Sequence, residues 1–183
     1  MGVTGLSIEE RKWDMTLGGQ QVVTCTMCLP RVEGTGAAVR RLAGHYRRLE
    51  KLWTDYVRRE LYLYACLELA QKQERGSAFR PWQGTLECKI GWQRGGVVGI
   101  RVRWREQRGF RSAQQRTWGD AWYADSGEVC TLRAFAPHKR MGARWLRNRP
   151  GGEEMGPCRQ FYPDLDGLHL VDRAGRERTV RIT

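Results

Sequence analysis

Residues 11–29 form two strand-like runs with apolar and polar positions intermixed, Arg11 to Leu17 and Gln20 to Leu29, separated by Gly18-Gly19. A glycine pair between two such runs marks a hairpin. The pattern therefore predicts strands over 11–17 and 20–29, with Pro30 ending the second. Residues 1–10 are read as a tail, and 11–183 as one domain. From Thr35 to Arg75 the period is helical. Val39, Leu42, Tyr46, Leu49, Trp53, Tyr56, Leu63, Leu67 and Ala70 recur at steps of three and four, with Glu60 the single interruption. That is one long amphipathic helix with a continuous seam, N-capped by Thr35 and stopped by Gly76. At 1.5 Å per residue it would run about 60 Å. A compact domain of this size is only about 40 Å across. The helix must kink, with Gly44 as the expected place, or overhang the sheet, and an overhanging seam would invite self-association.

A period of two follows the helix. Leu86, Cys88, Ile90 and Trp92 alternate with polar residues, and so do Val98, Ile100, Val102 and Trp104 beyond Gly95-Gly96. Pairing Leu86 with Trp104 and Trp92 with Val98 puts both apolar sets on one face and sets Glu87 opposite Arg103. A further hairpin is predicted over 116–124 and 128–135 around Asp125-Ser126-Gly127, because Gly can close such a loop in the left-handed conformation. Residues 136–157 read as a long loop with one helical turn near 144–147. Short strands are expected at 158–162, 167–172 and 177–183, joined by turns at Asp164–Gly167 and Arg173–Gly175. The order implies an α+β fold: an antiparallel meander sheet with one long amphipathic helix packed across one face.

Composition narrows the function. The net charge is +12, carried by 27 Arg and 5 Lys, which favours anionic partners. Arg101, Arg103 and Arg105 share one strand face. Lys139, Arg140, Arg144, Arg147 and Arg149, with Trp145 among them, crowd the long loop. Together they are the candidate anionic-partner site. No window is apolar enough to span a membrane, and Met1–Glu10 lacks the basic and apolar regions of a secretory leader, so the expectation is a soluble cytoplasmic chain. The six cysteines offer one close pair, Cys25 and Cys28. A zinc site wants a second pair, and residues three apart on a strand face opposite ways, so neither metal nor redox chemistry is expected there. Gly34-Thr-Gly36 opens a helix, but Val39 stands where a dinucleotide loop needs its third glycine, and no parallel strand is expected behind it. Asp164-Leu-Asp-Gly167 lacks most calcium ligands and reads as a turn. No nucleophile–base motif occurs. The reading is of a protein without catalytic residues or cofactor.

Three blocks, in order, carry a family resemblance: Thr24–Gly34 leading into the helix, Asp120–Leu132 around its turn, and Phe161–Leu170. The chain resembles the domain of unknown function shared by RsiV-type anti-sigma factors and some peptidoglycan deacetylases. That resemblance implies a non-catalytic domain that binds a cell-envelope partner, which is lysozyme in RsiV, and an extracytoplasmic setting. The partner would be a protein or an anionic cell-envelope polymer. The alternative that the charge suggests is a basic cytosolic module associated with nucleic acid.

Overall fold

The computed structural model describes residues 2–132, 160–172 and 177–180. Two long strands open the chain, β1 (Val3–Leu17) and β2 (Gln20–Gly34), paired antiparallel about the expected turn. Both are longer than the pattern suggested. Residues 3–10, read as a tail, are strand. Pro30 does not end β2 but sits opposite Ile8. The far neighbour of β2 pairs with it only as far as Cys28, so Pro30 lies where β2 has a free edge and a missing N–H is tolerated.

The helix follows, as α1 (Ala37–Tyr56), a π turn (Val57–Leu61) and α2 (Tyr62–Glu74). Its N-cap is Gly36 rather than Thr35. Its C-terminus closes as predicted. Gly76 adopts φ 62, and the Ser77 N–H reaches back to the Lys72 carbonyl at 2.8 Å, the Schellman arrangement. Strands of fifteen residues run about 50 Å. The β1–β2 hairpin is thus nearly as long as the helix, which removes the length conflict without a break at Gly44.

The winding changes at the π turn instead, around Glu60, the residue that interrupted the apolar seam. A stride of four residues drifts by about 40° per step in an α-helix. A π turn winds more slowly and takes some of that drift back. The buried stripe therefore runs Leu42, Tyr46, Trp53, Val57, Leu61, Ala65, Leu69. The predicted seam beyond Tyr56 faces solvent: Leu63 is 53% exposed and Leu67 58%. Leu61 seats directly on Gly84, where an added Cβ would lie 2.9 Å from Leu61 Cδ2.

Strands β3 (Trp82–Arg94), β4 (Val97–Gln107) and β5 (Gln114–Tyr123) complete a five-stranded sheet in the order β1-β2-β3-β4-β5. The α+β class and the helix across one face hold. The all-antiparallel meander does not, because β2 and β3 run parallel. A helical crossover returns the chain to the end it left, which makes its flanking strands parallel, and a hairpin turn cannot do that. The β3–β4 register has Leu86 opposite Trp104 and Glu87 opposite Arg103, as the pattern required. It slips at Gly91, where a bulge sets Trp92 opposite Gly99 instead of Val98. The partner expected for β5 at 128–135 reduces, within the described residues, to a single bridge between Trp122 and Val129.

The last strands form a separate sheet, β6 (Gln160–Asp164), β7 (Gly167–Val171) and β8 (Glu177–Val180). It docks on the face of β3–β5 opposite the helix. Three glycines make room. A Cβ would lie 2.0 Å from the Tyr162 ring at Gly119, 2.4 Å from the Pro163 carbonyl oxygen at Gly99, and 2.8 Å from the Asp164 carboxyl at Gly91. Within the small sheet, Glu177 accepts a 2.5 Å hydrogen bond from Tyr162 and lies 2.6 Å from His169 Nδ1, linking all three strands.

Candidate functional site

The even-numbered residues of β5, Gln114, Arg116, Trp118, Asp120 and Trp122, face the helix side of the sheet, because alternate strand residues share a face and Trp122 packs against His45 of α1. Opposite them runs a helical stripe at spacings of three and four: Arg41, His45, Arg48, Leu52 and Tyr56. The helix packs mainly over β2 and β3, so β5 and this stripe form the two sides of a cleft.

At one end of the cleft a groove of about 730 Å³ is lined by Arg40, Arg41, His45, Arg48, Trp122 and the Gly127–Val129 turn, among others. His45 Nε2 lies 3.2 Å from Asp120 Oδ2, and the Tyr46 hydroxyl donates to the same oxygen at 3.4 Å. The His45 ring meets Trp122 edge-on at 4.9 Å. Burial, and next the Asp120 charge, push the Tyr46 phenol well above its usual range, so it stays a donor. Arg41 donates to the Ser126 carbonyl at 3.0 Å and reaches Glu128 at 3.4 Å. Gly127 holds φ 67, and a Cβ there would lie 2.6 Å from Ala38 Cα, so the turn closes directly on the start of α1. The first turn of α1 carries no acid, although a helix N-terminus favours one.

The other end is a cavity of about 200 Å³ lined by Tyr56, Trp104, Glu106, Arg108 and Gln114–Arg116. Glu106 is only 5% exposed. It accepts a 2.5 Å hydrogen bond from Tyr56 and a second from Arg108 Nε. Arg108 also lies 5.1 Å over the Trp82 ring. Burial and the Glu106 contact raise the Tyr56 phenol to about 12. The carboxylate is held by two donors and can still accept from a ligand.

Of the residues singled out from the sequence, the three arginines of β4 are not among those gathered here. Arg101, Arg103 and Arg105 do share a strand face, but it is the face that carries the small sheet. Arg101 lies close enough to Tyr162 to act on its phenol. Arg103 is ion-paired with Glu87 at 3.7 Å, and Arg105 is exposed. Lys139, Arg140, Arg144, Trp145, Arg147 and Arg149 lie outside the described residues, as do Cys158 and the turn at 173–175. Arg40, Arg41 and Arg48 escaped notice because a charged helix face ordinarily means solvent. Two adjacent arginines in the first turns, against the helix dipole, were the signal available.

Cys25 and Cys28 point to opposite faces of β2. Burial raises the Cys25 thiol to about 12 and pushes that of Cys28 up as well. Among the described residues no three His, Cys, Asp or Glu side chains gather as metal ligands, and no helix is long and apolar enough to cross a membrane.

No family model matches the chain. No curated protein matches it either. Solved structures do. A member of the DUF3298 family from Bacteroides fragilis superposes with a TM-score of 0.64 over 99% of this chain and 90% of its own, at 13% identity. A DUF3298 family protein from Pseudomonas aeruginosa gives 0.50 over 97% and 88%, at 12% identity. At such identities the likeness is one of fold.

Proposed function

We propose that this is a non-catalytic binding domain, related to the envelope-sensing domains of RsiV-type anti-sigma factors, that captures an anionic partner in the cleft between α1 and β5. The observation that carries this reading is the groove at Trp122. Three arginines and His45 converge there; His45 meets Asp120 and Arg41 meets Ser126 and the exposed Glu128, whereas Arg40 and Arg48 have no acceptor among the described residues. Uncompensated positive charge in a concavity attracts anions and speeds their encounter. The DUF3298 fold likeness and the three sequence blocks support the family setting. A nucleophilic cysteine needs a lowered pKa, whereas burial raises Cys25 to about 12 and Cys130 to about 11, so neither thiol is poised as a nucleophile.

Nucleic acid is the less suited anion. Bases stack on open aromatic faces, yet Trp122 is 6% exposed and Trp118 packs against the core.

The test is a titration of solubilised anionic cell-wall polymer into the wild type and into the Arg40→Ala/Arg41→Ala/Arg48→Ala variant. All three side chains are exposed, so the variant should fold. A charge-assisted hydrogen bond is worth about 1.5–3 kcal/mol, so affinity should fall at least tenfold, and wild-type binding should weaken with salt. Equal affinity of the two proteins would overturn the assignment.

A further inference from the structure

The cavity at Tyr56 and Glu106 is not needed to hold a small anion at Trp122, yet it opens on the same face of the same strand. From Trp122 to Arg116 is six residues of β5, about 20 Å. On the facing wall, His45 to Tyr56 is eleven residues of α1, about 16 Å. Helix and strand run antiparallel here, since His45 meets Asp120 and Trp122 while Tyr56 meets Trp104 and lines the far cavity with Arg116. Between the two ends Leu52 stands 69% exposed on the helical stripe, and Trp118 lies in the β5 row. Each lining holds an arginine, a tryptophan and a carboxylate. At one end these are Arg41, Trp122 and Glu128. At the other they are Arg116, Trp104 and Glu106.

We infer that the two cavities are subsites for one extended ligand, an acidic oligosaccharide lying along β5. This rests on the proposed anion-binding role of the Trp122 groove and adds the length and chemistry of what binds. Carboxylates in the lining of a basic cleft would repel a chain that offers only negative oxygens. A sugar chain offers hydroxyl donors to Glu128 and Glu106 and, on the same rings, carboxylates to the arginines. Gln114 and Gln115, able to donate and accept, suit such hydroxyls. An ion pair and its hydrogen bonds at each end, joined by a chain that spans them, make the second contact effectively intramolecular.

The experiment uses the full chain with linear oligogalacturonates of two and of six sugars, and oligothymidylate as the phosphate-bearing counterpart, at low salt. The hexamer should bind at least tenfold more tightly than the dimer and than oligothymidylate. Arg116→Ala, at an exposed position, should cost the hexamer about tenfold and leave the dimer unchanged, whereas Arg41→Ala should weaken both. Equal affinity for dimer and hexamer, an indifferent Arg116→Ala, or preference for oligothymidylate would overturn the two-subsite inference. Dimer binding that still depends on Arg41 would leave the simpler anion-binding role standing. If nothing depends on Arg41, both fail.

Discussion

Truncating leucines on the two apolar stripes of the distal helix should give opposite results, and the difference tests the π turn. Leu61 and Leu69 are 1% and 2% exposed, beneath the helix, whereas Leu63 and Leu67 are 53% and 58% exposed. Leu→Ala at a buried site loses the transfer energy of the side chain and leaves a cavity, at a cost of about 2–5 kcal/mol. Leu61→Ala and Leu69→Ala should each fall in that range. Leu63→Ala and Leu67→Ala should cost no more than about 0.5 kcal/mol, because surface truncations are nearly neutral and Ala favours helix. The assay is equilibrium urea unfolding, reading the midpoint at constant slope. A second arm uses Gly84, whose Cβ would sit 2.9 Å from Leu61 Cδ2. Gly84→Ala should destabilise the wild type by about 1–3 kcal/mol as an overpacked site. In the Leu61→Ala background the added methyl enters space already vacated, so the double variant should be milder than the sum. If Leu63→Ala and Leu67→Ala cost as much as Leu61→Ala, the helix keeps one continuous seam through Glu60 and the re-phasing is wrong.

Three further outcomes follow from particular contacts. Gly127→Ala forces a side chain into φ 67 against Ala38 and should cost about 1–3 kcal/mol, visible as a lowered thermal midpoint; an unchanged midpoint would mean the turn does not close on α1. Gly119→Ala pushes a methyl into the Tyr162 ring, so amide exchange in 160–171 should speed up while that of β1–β2 holds, and uniform protection would contradict the docking of the small sheet. Alkali should destabilise the fold. Cys25 is raised from 9.0 and Tyr56 from 10.0, each to about 12, so the folded chain holds both protons more tightly than the unfolded one. Their stabilisation is complete below about pH 9 and is lost as pH climbs towards 12. Urea midpoints that stay level from pH 8 to 11.5 would refute this.

Periodicity carried much of the fold. The β1–β2 turn, the β3–β4 pairing with Glu87 opposite Arg103, the helix stop at Gly76 and the Asp164–Gly167 turn were all legible, because each depends on residues close in the chain or on one face set against water. The residues of the proposed binding cleft were less so. The arginines on β4 were conspicuous in sequence, but the outer face they occupy became the seat of β6 once Gly91, Gly99 and Gly119 allowed it close. Arg41 and His45 lie one helical turn apart, but Asp120 is 75 residues beyond His45 in the chain, and no local pattern joins it to them.

Alone, the sequence determined most of the strand and helix segments, residues 3–10 and the expected strand from 128 apart, and which side of the long strands would avoid water, since those preferences follow from side-chain chemistry at fixed spacing. Tertiary structure decided who pairs with whom. It set β2 beside β3 in parallel, placed the small sheet on the glycine face, and left a cleft between α1 and β5. It also chose between two apolar stripes that the distal helix offers. Leu63 and Leu67 fit an α-helical period as well as Leu61 and Leu69 do. Only contact with the sheet, where Leu61 settles on Gly84, makes one of them the buried face, because burial energy depends on a surface the chain has yet to build when its local pattern is read.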